Sequence, residues 1–201
     1  MRPPVLLYLA ASLLLACGRK APPVTSAPAD DRPGHPDLHC PFGTLPEGHA
    51  PPRGLEVWCV KHDPSGEPEK HGPSIEWQYP ATLLATGSWF GGEKQGEWTW
   101  YYPNGQFSRV EHWAEGALDG AYVEYAPYGG TSIEGGYAAG EPDGTWTWFR
   151  EDGTLERTGG YIDGQKHGEW FEYDPQGKPL TRRLFRNGRQ TSQEFFLPPR
   201  E

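Results

Sequence analysis

The chain has few of the residues and motifs from which enzymes build reactive centres. Its 201 residues contain three cysteines, and they include no Gly-x-Ser-x-Gly, His-Glu-x-x-His or phosphate-loop motif. These absences exclude the common nucleophile, zinc and nucleotide sites. The sequence therefore predicts no catalytic residue, no metal and no cofactor, and we expect a protein that is not an enzyme.

Positive charge is also scarce. Lysine and arginine total 18 against 27 aspartates and glutamates, which gives a net charge of −9. An acidic protein repels phosphate groups, so nucleic acid and anionic lipid headgroups are poor partners. We therefore expect no nucleic-acid partner.

Helical patterns and aliphatic residues are both sparse. No segment repeats apolar residues at helical spacing, and glycine interrupts every candidate helix. Residues 72–191 contain 22 phenylalanines, tryptophans and tyrosines against 11 valines, isoleucines and leucines. This balance argues against a closed aliphatic core. Large flat rings can instead cover one another along a single sheet, which stabilises each pair by roughly 0.5–1.5 kcal/mol.

The C-terminal three-fifths of the chain is a 24-residue repeat. The copies begin at Gly72, Gly96, Gly120, Gly144 and Gly168. A fixed period of this length indicates a repeat array, here of five copies over residues 72–191. Positions within each copy are numbered from its first glycine, so Gly96 is position 1 of copy 2.

Aromatic residues and glycines recur at fixed positions. Positions 3, 6 and 18 carry rings in nearly every copy, and positions 10 and 21 carry glycine. Rings favour half-buried strands, and Asn104-Gly105 is a strong signal for a turn after the first strand. A second turn is predicted to end at pairs such as Asp119-Gly120. The sequence thus predicts an all-β, elongated single-layer antiparallel meander of five β-hairpin repeats, with a length of roughly 45 Å.

The repeat motif reads Gly-x-Trp-x-x-Tyr-x-x-x-Gly, followed by an aromatic-x-x-Gly. The residues that fit it in copy 2 are Trp98, Tyr101, Gly105, Trp113 and Gly116. This motif resembles the MORN-repeat variants of bacterial antitoxin-like proteins. The resemblance spans about 120 of the 201 residues and implies an interaction scaffold, with an antitoxin or immunity role as a family-level expectation. Copy 1 departs from the motif at Ser74 and Ala81, which suggests a capping repeat.

The N-terminus has the pattern of an export signal. A short positive start precedes about twelve mostly apolar residues, which are too few to span a membrane. The run ends in Leu14-Leu15-Ala16-Cys17, which resembles a bacterial lipobox. The resemblance implies a signal peptide over residues 1–16, a lipid on Cys17 and, because Gly18 follows, anchoring in the outer membrane of the cell envelope. An ordinary secretory signal with cleavage nearby is the alternative.

A tether and a small cysteine-containing unit are predicted before the repeats. Residues 17–37 are rich in proline and alanine and predict a disordered linker. Cys40 and Cys59 predict a disulfide within a unit over residues 38–71, worth roughly 3 kcal/mol by loop closure. The rival is a metal site, without zinc-type spacing, formed by His39, Cys40, His49, Cys59 and His62. Residues 192–201 are expected to form a C-terminal tail.

Position 5 differs from the other ring positions, because glutamate and tryptophan alternate there. Positions 3, 5 and 7 share one face of a strand. Two aromatic patches are therefore predicted, separated by Glu124. Their residues are Trp98, Trp100, Tyr102, Trp146, Trp148 and Arg150. Tryptophan, tyrosine and arginine are the usual anchors of protein interfaces, so we expect a protein partner to dock on these patches.

Three other uses of this face stay open. In the plainest one, the rings only shield the sheet. The stretch from Gly96 to Gly105 is also similar to choline-binding repeats, which implies a glycan, cell-wall or quaternary-ammonium ligand held by cation–π attraction. The third is hydrolysis by Glu76, Glu124 or Glu172. Equivalent positions would lie about 10 Å apart, at or beyond the roughly 6.5–9.5 Å used by inverting glycosidases.

Overall fold

The computed structural model describes residue 35 and residues 37–196. Within this part the chain forms thirteen β-strands, and it has no helix that is long and apolar enough to cross a membrane. The expected signal peptide, Cys17, most of the linker and the end of the C-terminal tail lie outside the described residues.

The strands follow one another along the chain with short connections. They are β1 Leu45–His49, β2 Glu56–His62, β3 Pro68–Gln78, β4 Thr82–Phe90, β5 Glu93–Tyr101, β6 Phe107–Ala114, β7 Ala117–Tyr125, β8 Thr131–Ala138, β9 Glu141–Phe149, β10 Leu155–Ile162, β11 Gln165–Tyr173, β12 Pro179–Arg186 and β13 Arg189–Phe195.

All thirteen strands belong to one sheet, and their order in the sheet is their order in the chain. Every neighbouring pair is antiparallel, and each strand packs mainly against the strands before and after it. The prediction of an all-β, single-layer meander of hairpins is therefore confirmed. Because a single layer has no second layer packed against it, side chains of neighbouring strands must bury one another along the sheet.

The predicted disulfide between Cys40 and Cys59 is present, with their Cα atoms 5.5 Å apart. It links the segment before β1 to β2, where Cys59 is fully buried. β1 and β2 continue the same sheet as the repeats, so the sheet begins before copy 1. Among the described residues, no group of three histidines, cysteines, aspartates or glutamates could hold a metal ion.

Tight turns at positions 20 and 21 join each copy to the next. At Glu115-Gly116, the flanking residues Ala114 and Ala117 pair directly. Both turn residues have positive φ, 50° at Glu115 and 75° at Gly116, as a type I′ hairpin turn requires. The same positive φ followed by glycine recurs at Ala139, Asp163 and Asn187.

The prediction that the second turn ends at Asp119-Gly120 is therefore wrong. These residues lie inside β7. Between the pairs Trp113–Leu118 and Glu111–Tyr122, β7 has three residues and β6 has one, which is a bulge. Gly120 has a φ of 112°, which suits the bend of such a bulge and is strained for other residues. The glycine at position 1 serves a bulge inside the strand, and the chain reverses at positions 20 and 21.

The wider turn of each copy lies where the sequence predicts it. In copy 2 the backbone N–H of Tyr102 donates to Gln106 O at 2.8 Å, and the N–H of Gly105 donates to Tyr102 O at 2.8 Å. Asn104 accepts the N–H of Gln106 at 3.0 Å through its side chain. The Asn-Gly signal is thus confirmed as a turn with an added side-chain hydrogen bond.

Candidate functional site

One face of the sheet carries a file of rings, here called the aromatic face. Its members occupy positions 3, 5 and 18: Trp89, Trp98, Trp100, Trp113, Tyr122, Tyr137, Trp146, Trp148, Tyr161, Trp170 and Phe185. Contacting ring centroids lie 5.1–6.3 Å apart, in one run from Trp89 to Trp100 and another from Tyr122 to Phe185. Many pairs meet edge to face, which aromatic quadrupoles favour.

Position-3 tryptophans form the buried layer of this face. Trp170 is 6% exposed and lies flat against the backbone of Gly159 on β10. A Cβ atom at Gly159 would lie 2.1 Å from Cδ2 of Trp170, so the ring requires glycine beneath it. The indole Nε1 donates to the carbonyl oxygen of Gly160 at 3.0 Å. Trp98 repeats this seat on Gly87, and Trp146 repeats it on Gly135.

Rings at positions 5 and 18 form the accessible layer. Trp98 and Trp146 of the predicted patches are 0% and 6% exposed, so they present little surface to a partner. Trp100 and Trp148 are only half-buried and contact those buried rings at 6.3 and 5.9 Å. The accessible part of each predicted patch is therefore its position-5 tryptophan.

Tyr102 and Arg150, the other two predicted residues, tie consecutive copies together. The hydroxyl of Tyr102 donates to the carbonyl oxygen of Tyr125 at 2.8 Å. Arg150 donates to the carbonyl oxygen of Leu155 at 2.7 Å and also to that of Tyr173. Both side chains thus bridge a turn to the corresponding strand end of the next copy.

A lysine ammonium lies among three rings of the aromatic face. Nζ of Lys94 is 4.1 Å from the ring centroid of Trp98, 4.9 Å from that of Trp100 and 4.8 Å from that of Trp113. Burial lowers the pKa of Lys94, and the negative charges of Glu111 and Glu76 oppose that shift. The arrangement is an aromatic cage with a cation of the chain itself inside it.

Other cations of the chain contact the same rings. Lys166 Nζ lies 4.0 Å from the centroid of Trp170 and 5.3 Å from that of Phe185. Arg157 lies 4.3 Å above Trp148, and Arg109 lies 5.0 Å above Trp100 at the equivalent position of copy 2. The rings of this face are thus in contact with several cations of the chain.

A buried carboxylate interrupts the ring file at Glu111. This side chain is 5% exposed and accepts the indole N–H groups of Trp100 at 2.9 Å and Trp113 at 3.0 Å. Nε of Arg109 lies 2.6 Å from its other oxygen. Glu111 occupies position 16, where copies 1, 3 and 4 have the glycine beneath a tryptophan, and its strand partner is the smaller Tyr122.

The three glutamates of position 5 lie in different surroundings. Glu172 is bound by Arg183 at 2.6 Å and Thr181 at 3.0 Å, and the Arg183 hydrogen bond is the main cause of its lowered pKa. Glu124 accepts the hydroxyl proton of Tyr122. Burial, together with the charge of Glu56, raises the pKa of Glu76.

The MORN repeat variant family matches three segments of the chain, residues 94–107, 142–163 and 166–187. These segments are MORN repeats of the variant type. The MORN repeat over 142–163 contains Trp146, Trp148 and Tyr161, and the one over 166–187 contains Trp170 and Phe185. No curated protein matches the chain. The aromatic face is therefore built from the matched MORN repeats and their neighbours.

Two features of this face were not predicted from the sequence. One is the glycine at position 16 that seats each buried tryptophan. The other is the lysine two residues before the first glycine of a copy, as at Lys94 and Lys166. The sequence does contain a signal for the glycine. Position 16 is glycine in each copy that is followed by a tryptophan at position 3, and it is Glu111 in the copy that is followed by Tyr122.

Proposed function

We propose that this chain is a non-enzymatic scaffold that binds a partner protein through its aromatic face. The observation that carries the proposal is the half-exposed ring layer on an open sheet. Trp100, Trp113 and Trp148 contact buried rings or polar partners on one side and keep part of their surface exposed. Tryptophan rings held in well-packed surroundings are typical of interface anchors.

The test is capture of the partner from cells by the full chain and by a Trp100→Ala/Trp148→Ala variant. We expect the double variant to lose most of the captured protein, because it removes the accessible centre of the face. Tyr128→Ala is the matched control, since this ring is 96% exposed but lies in a turn away from the face. Equal capture by the wild type and the double variant would refute the aromatic face as the binding surface.

We further propose that the scaffold is held at the cell envelope by lipid on Cys17, on the outer membrane. The support is the lipobox-like sequence before Cys17 and the proline-rich residues that follow it. The resemblance to MORN-repeat variants of antitoxin-like proteins supports an antitoxin or immunity role for the anchored scaffold. Incorporation of labelled palmitate into the wild type, and its loss in Cys17→Ser, would support the anchor; an unlabelled wild type would refute it.

A second candidate function is binding of a glycan, cell-wall or choline-type ligand. The observation in its favour is that three rings surround the Lys94 ammonium and that the same three positions carry rings at Trp146, Trp148 and Tyr161. Such a set of rings also attracts a quaternary ammonium. Titration with choline and with muropeptides, followed by tryptophan fluorescence, tests it. A saturable change supports this function, and a flat titration rejects it.

A further inference from the structure

Two buried tryptophans of the aromatic face hold a lysine of the chain, and a third has the same ring surroundings without one. Trp170 meets Tyr161 at 5.1 Å and 87°, and it meets Phe185 at 6.0 Å and 68°. Trp146 meets Tyr137 at 5.2 Å and 86°, and it meets Tyr161 at 6.0 Å and 76°. The two environments therefore agree closely in distance and angle.

The difference between them lies at one position. Lys166 precedes Trp170 by four residues and places its Nζ 4.0 Å from that ring. Lys94 precedes Trp98 by four residues and does the same at 4.1 Å. Pro142 precedes Trp146 by four residues and has no charge to offer. In the described part of the chain, no cation lies over Trp146 or Tyr161.

The electrostatic surroundings of this third cage match those of an occupied one in part. The charges of Glu111 and then of Glu76 stabilise the Lys94 ammonium. Position 16 beside the third cage is Gly159, so Glu111 has no counterpart there. Glu76 lies at position 5 of the copy before Trp98. Glu124 lies at the equivalent position before Trp146. Arg157 above Trp148 does not exclude an ammonium, because Arg109 lies above Trp100 in the cage that already contains Lys94.

We propose that the cage formed by Trp146, Trp148 and Tyr161 binds the ammonium of a lysine side chain on the partner protein. The inference rests on the proposed function and adds the chemistry of the group that the partner presents. A lysine is the occupant because the equivalent cages of this chain hold a primary ammonium on a flexible stem. Ring quadrupoles and Glu124 attract its charge, and the surrounding rings cover its methylene groups.

A binding titration tests the cage without the partner. The probe is Nα-acetyl-lysine methylamide, and the readout is the NMR shift of the Trp146 and Trp148 indole N–H signals. We expect a saturable shift with the wild type and none with the probe acetylated at Nε, which is neutral. Trp148→Leu should weaken binding by roughly fivefold, because it removes one of the three rings.

A filled cage provides the decisive comparison. Pro142→Lys should abolish binding of the probe, because the introduced lysine occupies the cage as Lys94 and Lys166 occupy theirs. Leu118→Lys is the matched control: it adds the same charge at the equivalent position of the neighbouring copy. The proposal is overturned if the wild type shows no saturable shift, if Pro142→Lys binds like the wild type, or if Leu118→Lys loses binding equally. Preference for choline over the lysine probe would also overturn it.

Partner capture separates this proposal from the proposed function. We expect Pro142→Lys to reduce capture while Leu118→Lys retains it. If Trp100→Ala/Trp148→Ala loses the partner but Pro142→Lys keeps it, the lysine cage is wrong and the aromatic face remains the binding surface. If neither variant changes capture, the proposed function itself fails.

Discussion

At the scale of single residues, the aromatic face depends on glycine beneath tryptophan. Trp146 is 6% exposed because Gly135 leaves room for its ring directly on the backbone of β8. Position 16 and the next position 3 therefore vary together, glycine with tryptophan and Glu111 with Tyr122. A larger residue in place of the glycine should overpack the site, and a smaller residue in place of the tryptophan should leave a cavity.

Gly135→Ala should destabilise the protein by about 1–3 kcal/mol, because the added Cβ would lie 2.3 Å from Cδ2 of Trp146. The adjacent Gly136→Ala is the control. Its Cβ would lie no closer than 3.4 Å to its nearest neighbour, and Gly136 has no positive φ. Urea unfolding of both variants checks this, and equal losses would contradict the seat of the ring on Gly135.

Glu172→Gln should reduce the acid sensitivity of the fold. Hydrogen bonding by Arg183 lowers the pKa of Glu172 below its ordinary value of 4.5, so the folded state binds fewer protons than the unfolded state there. This stabilisation is present above pH 4.5 and is lost as the pH falls through the lowered pKa. The difference in unfolding free energy between the wild type and Glu172→Gln should therefore shrink from about pH 6 to about pH 3.

Urea unfolding at several pH values measures this difference. Glu151→Gln is the control, because it removes an exposed carboxylate in the turn after β9. A gap between the wild type and Glu172→Gln that stays constant with pH would contradict the role given to Arg183.

At the scale of the element, the hairpin is defined by two different turns, and only one of them could be predicted correctly. The wide turn carries Asn104-Gly105, whose meaning is local. The tight turn uses Glu115 and Ala139 at positive φ, residues with little preference for that conformation. The nearby Asp-Gly pairs have a sequence that is more typical of turns, but they lie in strands. The sequence cannot distinguish the two cases, because a bulge and a turn both require a glycine with positive φ.

Ala139→Gly should stabilise the protein by about 0.5–1 kcal/mol. Ala139 has a φ of 48°, which strains a side chain that carries a Cβ atom. Ala138→Gly is the matched control, since Ala138 is the last residue of β8. Glycine there only makes the unfolded chain more flexible, which should lower the free energy of unfolding by about 0.5–1 kcal/mol. Thermal unfolding of the two variants should show shifts of opposite sign; shifts of the same sign would contradict the type I′ turn.

At the scale of the whole molecule, the 24-residue period was sufficient to predict the part of the sheet that the repeats form, but not β1 and β2, which precede them. It gives the strand number of the repeats and their single layer, and the ratio of rings to aliphatic residues indicates how they pack. The period could not show the cages, because a cage depends on Lys94, Pro142 or Lys166, where the copies differ. It also could not show the surroundings of Glu111. This residue replaces the glycine of position 16 in one copy, and its carboxylate is bound by Trp100, Trp113 and Arg109.

The central claim is that the copies are equivalent units that contact only the copies next to them, because each strand packs mainly against its chain neighbours. Deleting residues 141–164, one full copy, would place β8 beside β11 and set Gly135 opposite Trp170. Deleting residues 141–152 would remove 12 residues, essentially a single strand, and reverse the direction of every later strand. Two-dimensional amide NMR of both variants is the most direct test. We predict that the 24-residue deletion keeps dispersed signals for β11 to β13 near their wild-type positions, because these strands keep their direction and Trp170 keeps a glycine beneath it, while the 12-residue deletion does not. Equal loss of dispersion in both variants would contradict the account.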